Sequence, residues 1–321
     1  MEWYGKPYYS LDAWCKNTLA RKCYKIALNA HMTCPNRDGS LGSRGCIFCS
    51  AGGSGDFAVD IAGKSVEAQL AEGLSRFRNK FALTQDTNTA PCLIAYFQAY
   101  TNTYAPIPYL KKVYTEALDC PMVCGISIGT RPDCLPPEVL DLLAELKNQY
   151  PEKFIWVELG LQTIHEETAL FLRRGYALPC FEQAFKDLTR IDIPVIVHLI
   201  LGLPGETTEM VLESIDYLNQ LHPFGVKLQL LHILKDTDLG KLYLTGQEEW
   251  KDLPLEKEEY LTLLVDCVRH LSPKIVIHRL TGDGPAESLL APVWSLNKRD
   301  VLNSLHKKFR SLNAFQGDLA Q

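Results

Sequence analysis

The sequence predicts an α/β protein: a barrel, complete or partial, of six strand–helix units with a C-terminal α/β extension. Three observations carry this reading. Short β-rich runs alternate with amphipathic stretches from about residue 23 to 235. Most of those runs are almost continuously apolar, as strands covered on both faces of a parallel sheet must be. After residue 235 the alternation gives way to a more polar, helical rhythm.

The runs are CYKIAL (23–28), CLIAYFQAY (92–100), MVCGISIG (122–129), FIWVELGL (154–161), PVIVHLILG (194–202) and VKLQLLHI (226–233). Between the third and fourth, PPEVLDLLAELKNQY (136–150) reads as a helix. Its prolines sit at the start, where a missing N–H costs nothing, and Val139, Leu142, Leu143 and Leu146 form one stripe. A doubly wound open sheet is the alternative architecture. In either case function belongs on the loops after the strands. One further run, KIVIHRL (274–280), follows the polar helical segment. We expect the barrel to occupy residues 18–255, and the extension, 256–321, to pack against it.

Composition narrows the class. Hydrophobic residues make up 46% and charged residues 22%, the balance of an ordinary globular protein. No apolar run approaches the roughly 20 residues that span a bilayer. The segment MEWYGKPYYSLDAW lacks the pattern of a signal peptide, so a cytoplasmic location is expected. Thiols there stay reduced, and clustered cysteines then point to metal or catalysis. The net charge of −5 argues against a generally basic surface but leaves room for a basic patch.

Three of the eleven cysteines fall in HMTCPNRDGSLGSRGCIFCSAGGSGDF (31–57), as Cys34, Cys46 and Cys49. With His31 they make H-x2-C-x11-C-x2-C, an acceptable set for tetrahedral zinc. Two details favour another chemistry. The loop directly follows the first strand, at the functional end of a barrel, and Phe48 precedes the last cysteine.

The loop resembles the signature of the radical S-adenosylmethionine (SAM) superfamily, whose three cysteines after the first strand bind a [4Fe–4S] cluster. The fourth iron of that cluster is left to the amino and carboxylate groups of SAM. The x11 spacing departs from the commoner C-x3-C-x2-C. It resembles the Elongator-catalytic-subunit-like branch and, within it, the bacterial YhcC/YtqA-type family. Thiolates suit iron–sulfur chemistry, and an iron without one can hold a substrate.

Later segments resemble the same branch. WVELGLQTIHEETALFLRRGY is similar to a segment shared by Elongator-like members and oxygen-independent coproporphyrinogen oxidases. There a glutamine and an arginine contact SAM, which implies Gln162 and Arg174, the latter clamping the methionine carboxylate. VHLILGLPGET resembles the turn at which a glycine admits the adenine, here Gly202, and places His198 at the ribose-binding position. The second strand lacks the usual Gly-Gly-Glu segment, so Gln98 and Thr101 are candidates to hold the SAM amino group. Ser127, Gly129 and Thr130 end the third strand, where ribose contacts are expected. The other eight cysteines form no second CxxC pair, and no auxiliary cluster is expected. Cys120-x3-Cys124 reads as buried structure.

The resemblance implies reductive cleavage of SAM to a 5′-deoxyadenosyl radical, an electron donor such as flavodoxin or ferredoxin, and a tRNA substrate. In the YtqA-type group the implied change turns a wobble-uridine carboxymethylaminomethyl side chain into aminomethyl. Elongator relatives also carry an acetyltransferase domain, for which the segment after residue 290 leaves no room. The basic tail residues Lys298, Arg299, Lys307, Lys308 and Arg310, with Trp294 as a stacking surface, are candidate tRNA contacts. Lys6, Arg21, Lys22 and Lys25 extend that patch. Two other readings remain open: a radical SAM enzyme acting on a small molecule or tetrapyrrole, and a non-enzymatic iron–sulfur or zinc protein.

Overall fold

The computed structural model describes residues 3–53, 55–59, 64–83, 92–247, 250 and 253–320. Helix α1 (Leu11–Leu19) opens the chain, capped by the Ser10 hydroxyl, which accepts from the Ala13 N–H. Five strand–helix alternations and a sixth strand follow. They are β1 (Cys23–Leu28), α2 (Val66–Leu83), β2 (Cys92–Phe97), α3 (Ile107–Asp119), β3 (Val123–Thr130), α4 (Pro137–Gln149), β4 (Phe154–Gln162), α5 (Glu166–Phe171), α6 (Leu178–Arg190), β5 (Val195–Leu201), α7 (Thr208–Leu221) and β6 (Gly225–Leu230). The chain then forms β7 (Ile233–Leu234), α8 (Asp238–Leu244), α9 (Lys257–His270), β8 (Val276–Arg279), β9 (Leu289–Ala291) and α10 (Lys298–Leu312).

The main sheet has seven strands in the order β1-β2-β3-β4-β5-β6-β8. Every neighbouring pair is parallel. β1 and β8 lie at its two edges, so the barrel is open on one side. Sequence reading anticipated six barrel strands. The seventh, β8, comes from the C-terminal extension: Gly225 of β6 pairs with Val276, and Val226 with Ile277. The extension is therefore continuous with the sheet.

The apolar runs are explained by burial on both faces. All six residues of β2 are buried, as are seven of the eight in β3. Helices α2 to α7 and α9 cover the outside and contribute Leu110, Leu143, Phe181, Ile215 and Leu264 to one continuous core. α10 seats Val301, Leu305 and Phe309 against that core. Because every strand runs the same way, all C-terminal strand ends meet at one edge of the sheet, and the site is built there.

Candidate active site

The segment from Asn29 to Val59, between β1 and α2, carries the three cysteines and is tied down by its own backbone. The Cys34 carbonyl accepts from the amides of Arg37 and Asp38, and the Cys46 carbonyl accepts from Cys49. Arg37 Nη2 donates to the carbonyls of Cys49 at 2.9 Å and Ser50 at 2.5 Å. Asn36 Nδ2 reaches the Cys46 sulfur at 3.5 Å and the Arg173 carbonyl at 2.9 Å, joining this loop to the end of α5. Gly53 has φ +61°, and a Cβ there would meet the Tyr100 ring at 2.3 Å. Only glycine fits where the loop crosses the tip of β2.

Cys34, Cys46 and Cys49 share one wall of a cavity of about 260 Å³ at the C-terminal end of the barrel. Burial pushes the Cys46 thiol up to about 11, with Cys49 adding to the rise while Arg131 and Asn36 oppose it. Ligation of a metal centre would then release its proton. His31 does not join the three sulfurs. Its φ is +52°, its side chain is exposed, and it is not part of the cavity wall. A three-thiolate set without that histidine fits a [4Fe–4S] cluster with one open iron better than a closed zinc site.

The candidates for SAM contact divide. Phe48, Gln98, Thr101, Gly129, Thr130, Gln162, Arg174 and His198 all line the cavity. Gln162 ends β4 at a register shift with φ +62°, a left-handed backbone that a non-glycine residue adopts only when its surroundings impose it. The Tyr176 hydroxyl holds its Oε1 at 3.1 Å. The Thr130 hydroxyl pairs with Thr103 at 2.6 Å.

Two of these expectations need correction, and a third residue has a further task. Ser127 does not face the cavity: its hydroxyl donates to Glu158 Oε1 at 2.6 Å inside the barrel. Gly202 opens into a separate cavity, where a Cβ would meet Leu255 Cδ1 at 3.1 Å. Leu255, not a ligand, approaches that backbone. Arg174 is 2% exposed and donates to the carbonyls of Tyr176 (2.9 Å), Leu161 (3.0 Å) and Thr163 (2.8 Å) and to Glu166 (3.2 Å). Its guanidinium braces the end of β4 and leaves one N–H for a carboxylate.

The barrel interior holds a group that sequence reasoning missed. Glu158 accepts from Lys25 and Ser127 on Oε1, and from His198 and Lys227 on Oε2. Tyr96 lies between the lysines, with Lys25 Nζ 4.3 Å and Lys227 Nζ 4.2 Å from its ring centroid. Burial alone would raise the Glu158 carboxyl, but Lys227, Lys25 and His198 hold it well below the usual range. Burial and Lys227 together bring His198 down to about 4, so its ring is neutral. An ionised Glu158 requires His198 to carry its proton on Nε2, which leaves Nδ1 as an acceptor. Burial lowers both lysines, against the pull of Glu158. Tyr96, Glu158 and His198 reach the cavity floor, so this network borders the site. The signal was a charged residue inside each of three apolar runs: Lys25, Glu158 and Lys227. Lys25 is thereby corrected as well, since it points into the barrel and does not extend a surface patch.

The basic tail also needs correction in part. Trp294 packs on Tyr260 at 5.5 Å between ring centroids and donates to the Leu255 carbonyl, so it is no free stacking platform. Lys298 pairs with Asp283 at 2.6 Å, and Lys308 with Glu258 at 3.4 Å. Arg299, Lys307 and Arg310 are exposed on α10.

Comparison with known proteins agrees with this geometry. The sequence matches the family model of the radical SAM superfamily over residues 40–218. The chain belongs to the radical SAM superfamily. A second match, to the radical SAM C-terminal domain, spans residues 223–311. The chain is 39% identical to YtqA of Bacillus subtilis over 98% of its own length and 94% of that protein. It is 34% identical to YhcC of Escherichia coli over 87% of its length and 84% of the relative. Among solved structures, the archaeal Elp3 of Methanocaldococcus infernus shares the fold with a TM-score of 0.67 at 16% identity. That match covers 92% of this chain and 64% of the Elp3 chain. This radical SAM protein is thus an enzyme that uses a [4Fe–4S] cluster and SAM. Among the described residues, no helix is long and apolar enough to cross a membrane.

Proposed function

We propose that this radical SAM enzyme acts on tRNA, converting the carboxymethylaminomethyl group of a wobble uridine to aminomethyl. One observation carries the reading. The cavity is lined both by the three-cysteine loop and by Arg279, Gly282, Asp283, Gly284 and Pro285, and Asp283 is tied by Lys298 to α10. The exposed Arg299, Lys307 and Arg310 of that helix would take the tRNA backbone. Two distant relatives are named Elongator complex protein 3 and, in an archaeon, tRNA uridine(34) acetyltransferase; the latter is 26% identical over 57% of this chain.

Cys34, Cys46 and Cys49 would hold the cluster, and Phe48, Gln98, Thr101, Gly129, Thr130, Gln162 and His198 would surround SAM. Reduced by a flavodoxin- or ferredoxin-type donor, the bound cluster and SAM would supply the one-electron chemistry that removes a hydrogen atom from carbon. The carbon between amine and carboxylate is a suitable target, because both neighbours stabilise the radical left there. Loss of one further electron, to a flavodoxin- or ferredoxin-type acceptor, and a proton would give an imine, and water would release glyoxylate and the primary amine. The chain's own residues orient and exclude. Gln162, fixed by Tyr176, presents an amide, and neutral His198 offers Nδ1 to a hydroxyl. The loop anchored by Arg37 and Tyr100 holds the three cysteines in the cavity wall.

Nucleoside mass spectrometry of tRNA from cells lacking the gene tests this. Accumulation of carboxymethylaminomethyluridine with loss of its aminomethyl descendants is expected. An unchanged nucleoside profile would move the substrate to a small molecule.

A further inference from the structure

A second set of sulfurs lies at the opposite end of the barrel from the cavity. Cys23 starts β1, Cys92 starts β2 and Cys124 is the second residue of β3. The three sulfurs all lie within 4.8 Å of one another, and Cys23 and Cys92 are 3.4 Å apart. Cys15 of α1 packs beside them, in the same apolar cluster as Cys23 and Cys124. Three thiols from three strands, up to 101 residues apart in sequence (Cys23 to Cys124), thus converge, with a fourth packed against them from α1. Sequence reasoning anticipated no such gathering, because no two of these cysteines stand in a CxxC pair. Register does what spacing does not: Cys23 sits directly opposite Cys92 in the parallel β1–β2 ladder.

Two readings of a buried thiol group compete. Lone buried cysteines usually behave as small hydrophobes. That reading explains Cys267, fully buried in the main core, but it gives no reason for sulfur to meet sulfur from several elements. The alternative is a soft-metal site. A tetrahedral zinc with bonds of about 2.3 Å holds its sulfurs about 3.8 Å apart. The three strand sulfurs, all within 4.8 Å of one another and one pair at 3.4 Å, lie close to that spacing. We propose that Cys15, Cys23, Cys92 and Cys124 form a structural zinc site that clamps α1 to the first three strands.

The surroundings suit the ion. Trp14, Phe154, Trp156 and Phe224 pack around the sulfurs and exclude water from them. Four thiolates around one Zn²⁺ leave two negative charges, and the Arg21 guanidinium lies near Cys23 and Cys92 to offset them. Ligation would release the thiol protons. The redox state of sulfur does not change, and the released protons go to solvent.

The test separates this site from the iron–sulfur cluster. In the Cys34→Ala, Cys46→Ala, Cys49→Ala triple variant, purified without oxygen, about one zinc per chain should remain and iron should be absent. Growth on Co²⁺ should then give intense sulfur-to-cobalt charge-transfer bands, weakened by adding Cys23→Ser or Cys124→Ser and unchanged by Cys180→Ser. Where a serine variant does not fold, a mercurial titration of the otherwise intact triple variant serves instead. Zinc release should track modification of the four cysteines, as mapped by mass spectrometry. A triple variant that binds neither zinc nor cobalt would overturn the proposal. So would retained iron, or a Cys23–Cys92 disulfide found in protein isolated without oxygen.

Discussion

Glu158 of β4 and Lys227 of β6 form an ion pair inside the barrel, with side chains 0% and 5% exposed. Lys25 and His198 share the same carboxylate. Removing the carboxylate would leave two buried cations without a counter-charge. Glu158→Gln should therefore cost roughly 3–5 kcal/mol of stability. Glu158→Gln with Lys227→Met should recover much of that loss. Thermal unfolding of the variants checks it; additive losses in the double variant would mean that the pair is not coupled.

Stability should also fall in mild acid. His198 and His232 are both held at about 4 in the folded chain, chiefly by burial, and His278 is lowered too. Between about 6.5 and 4 the unfolded chain binds these protons and the folded chain does not, so falling pH favours unfolding. Glu158 adds to this at lower pH. Its depressed pKa contributes stability above the unfolded value of about 4.3, and that is lost as pH falls through the folded one. Denaturant titrations at pH 7, 6 and 5 should give a steadily declining midpoint. His198→Gln should flatten the decline; an unaltered slope would show that His198 is not among the groups responsible.

For the cofactor, about four irons per chain are expected after anaerobic reconstitution, all lost in the triple alanine variant of Cys34, Cys46 and Cys49. His31→Ala should keep its iron, because His31 is exposed and outside the cavity wall. Loss of iron from that variant would return His31 to the ligand set.

Gln162 and Arg174 should behave differently on mutation. Gln162→Ala should weaken SAM binding by roughly 0.5–1.5 kcal/mol with little change in melting temperature, because it removes one positioned amide at the cavity. Arg174→Ala should lower the melting temperature as well, since three backbone carbonyls and Glu166 lose their donor. Calorimetric titration with SAM beside thermal unfolding distinguishes them. Equal melting temperatures would leave the bracing role without support.

On α10, neutralising Arg299, Lys307 and Arg310 together should lower tRNA affinity. The dependence on salt should flatten by about one unit of slope per lost phosphate contact. Lys298→Ala and Lys308→Ala should each do less, because both are paired with acidic residues. Binding measured across a salt series reads both effects; an unaltered slope in the triple variant would remove α10 from the interface.

The sequence by itself determined the strands, because a parallel strand covered on both faces must be apolar along its whole length. CLIAYF and VCGISIGT could hardly be anything else. It also placed the cysteine loop, since Cys34, Cys46 and Cys49 are close in the chain and directly follow the first strand. The tertiary structure decided whatever depends on residues far apart in the chain. Lys25, Glu158, His198 and Lys227 meet only because β1, β4, β5 and β6 curl around one interior. Cys23, Cys92 and Cys124 meet only because the ladder register aligns the starts of the first three strands, and Cys15 packs beside them from α1. Arg174 could be placed near the site by its motif, but which acceptors its N–H groups reach depends on where the chain turns after β4. Local spacing is written in the sequence, whereas convergence of distant residues is a property of the curled sheet.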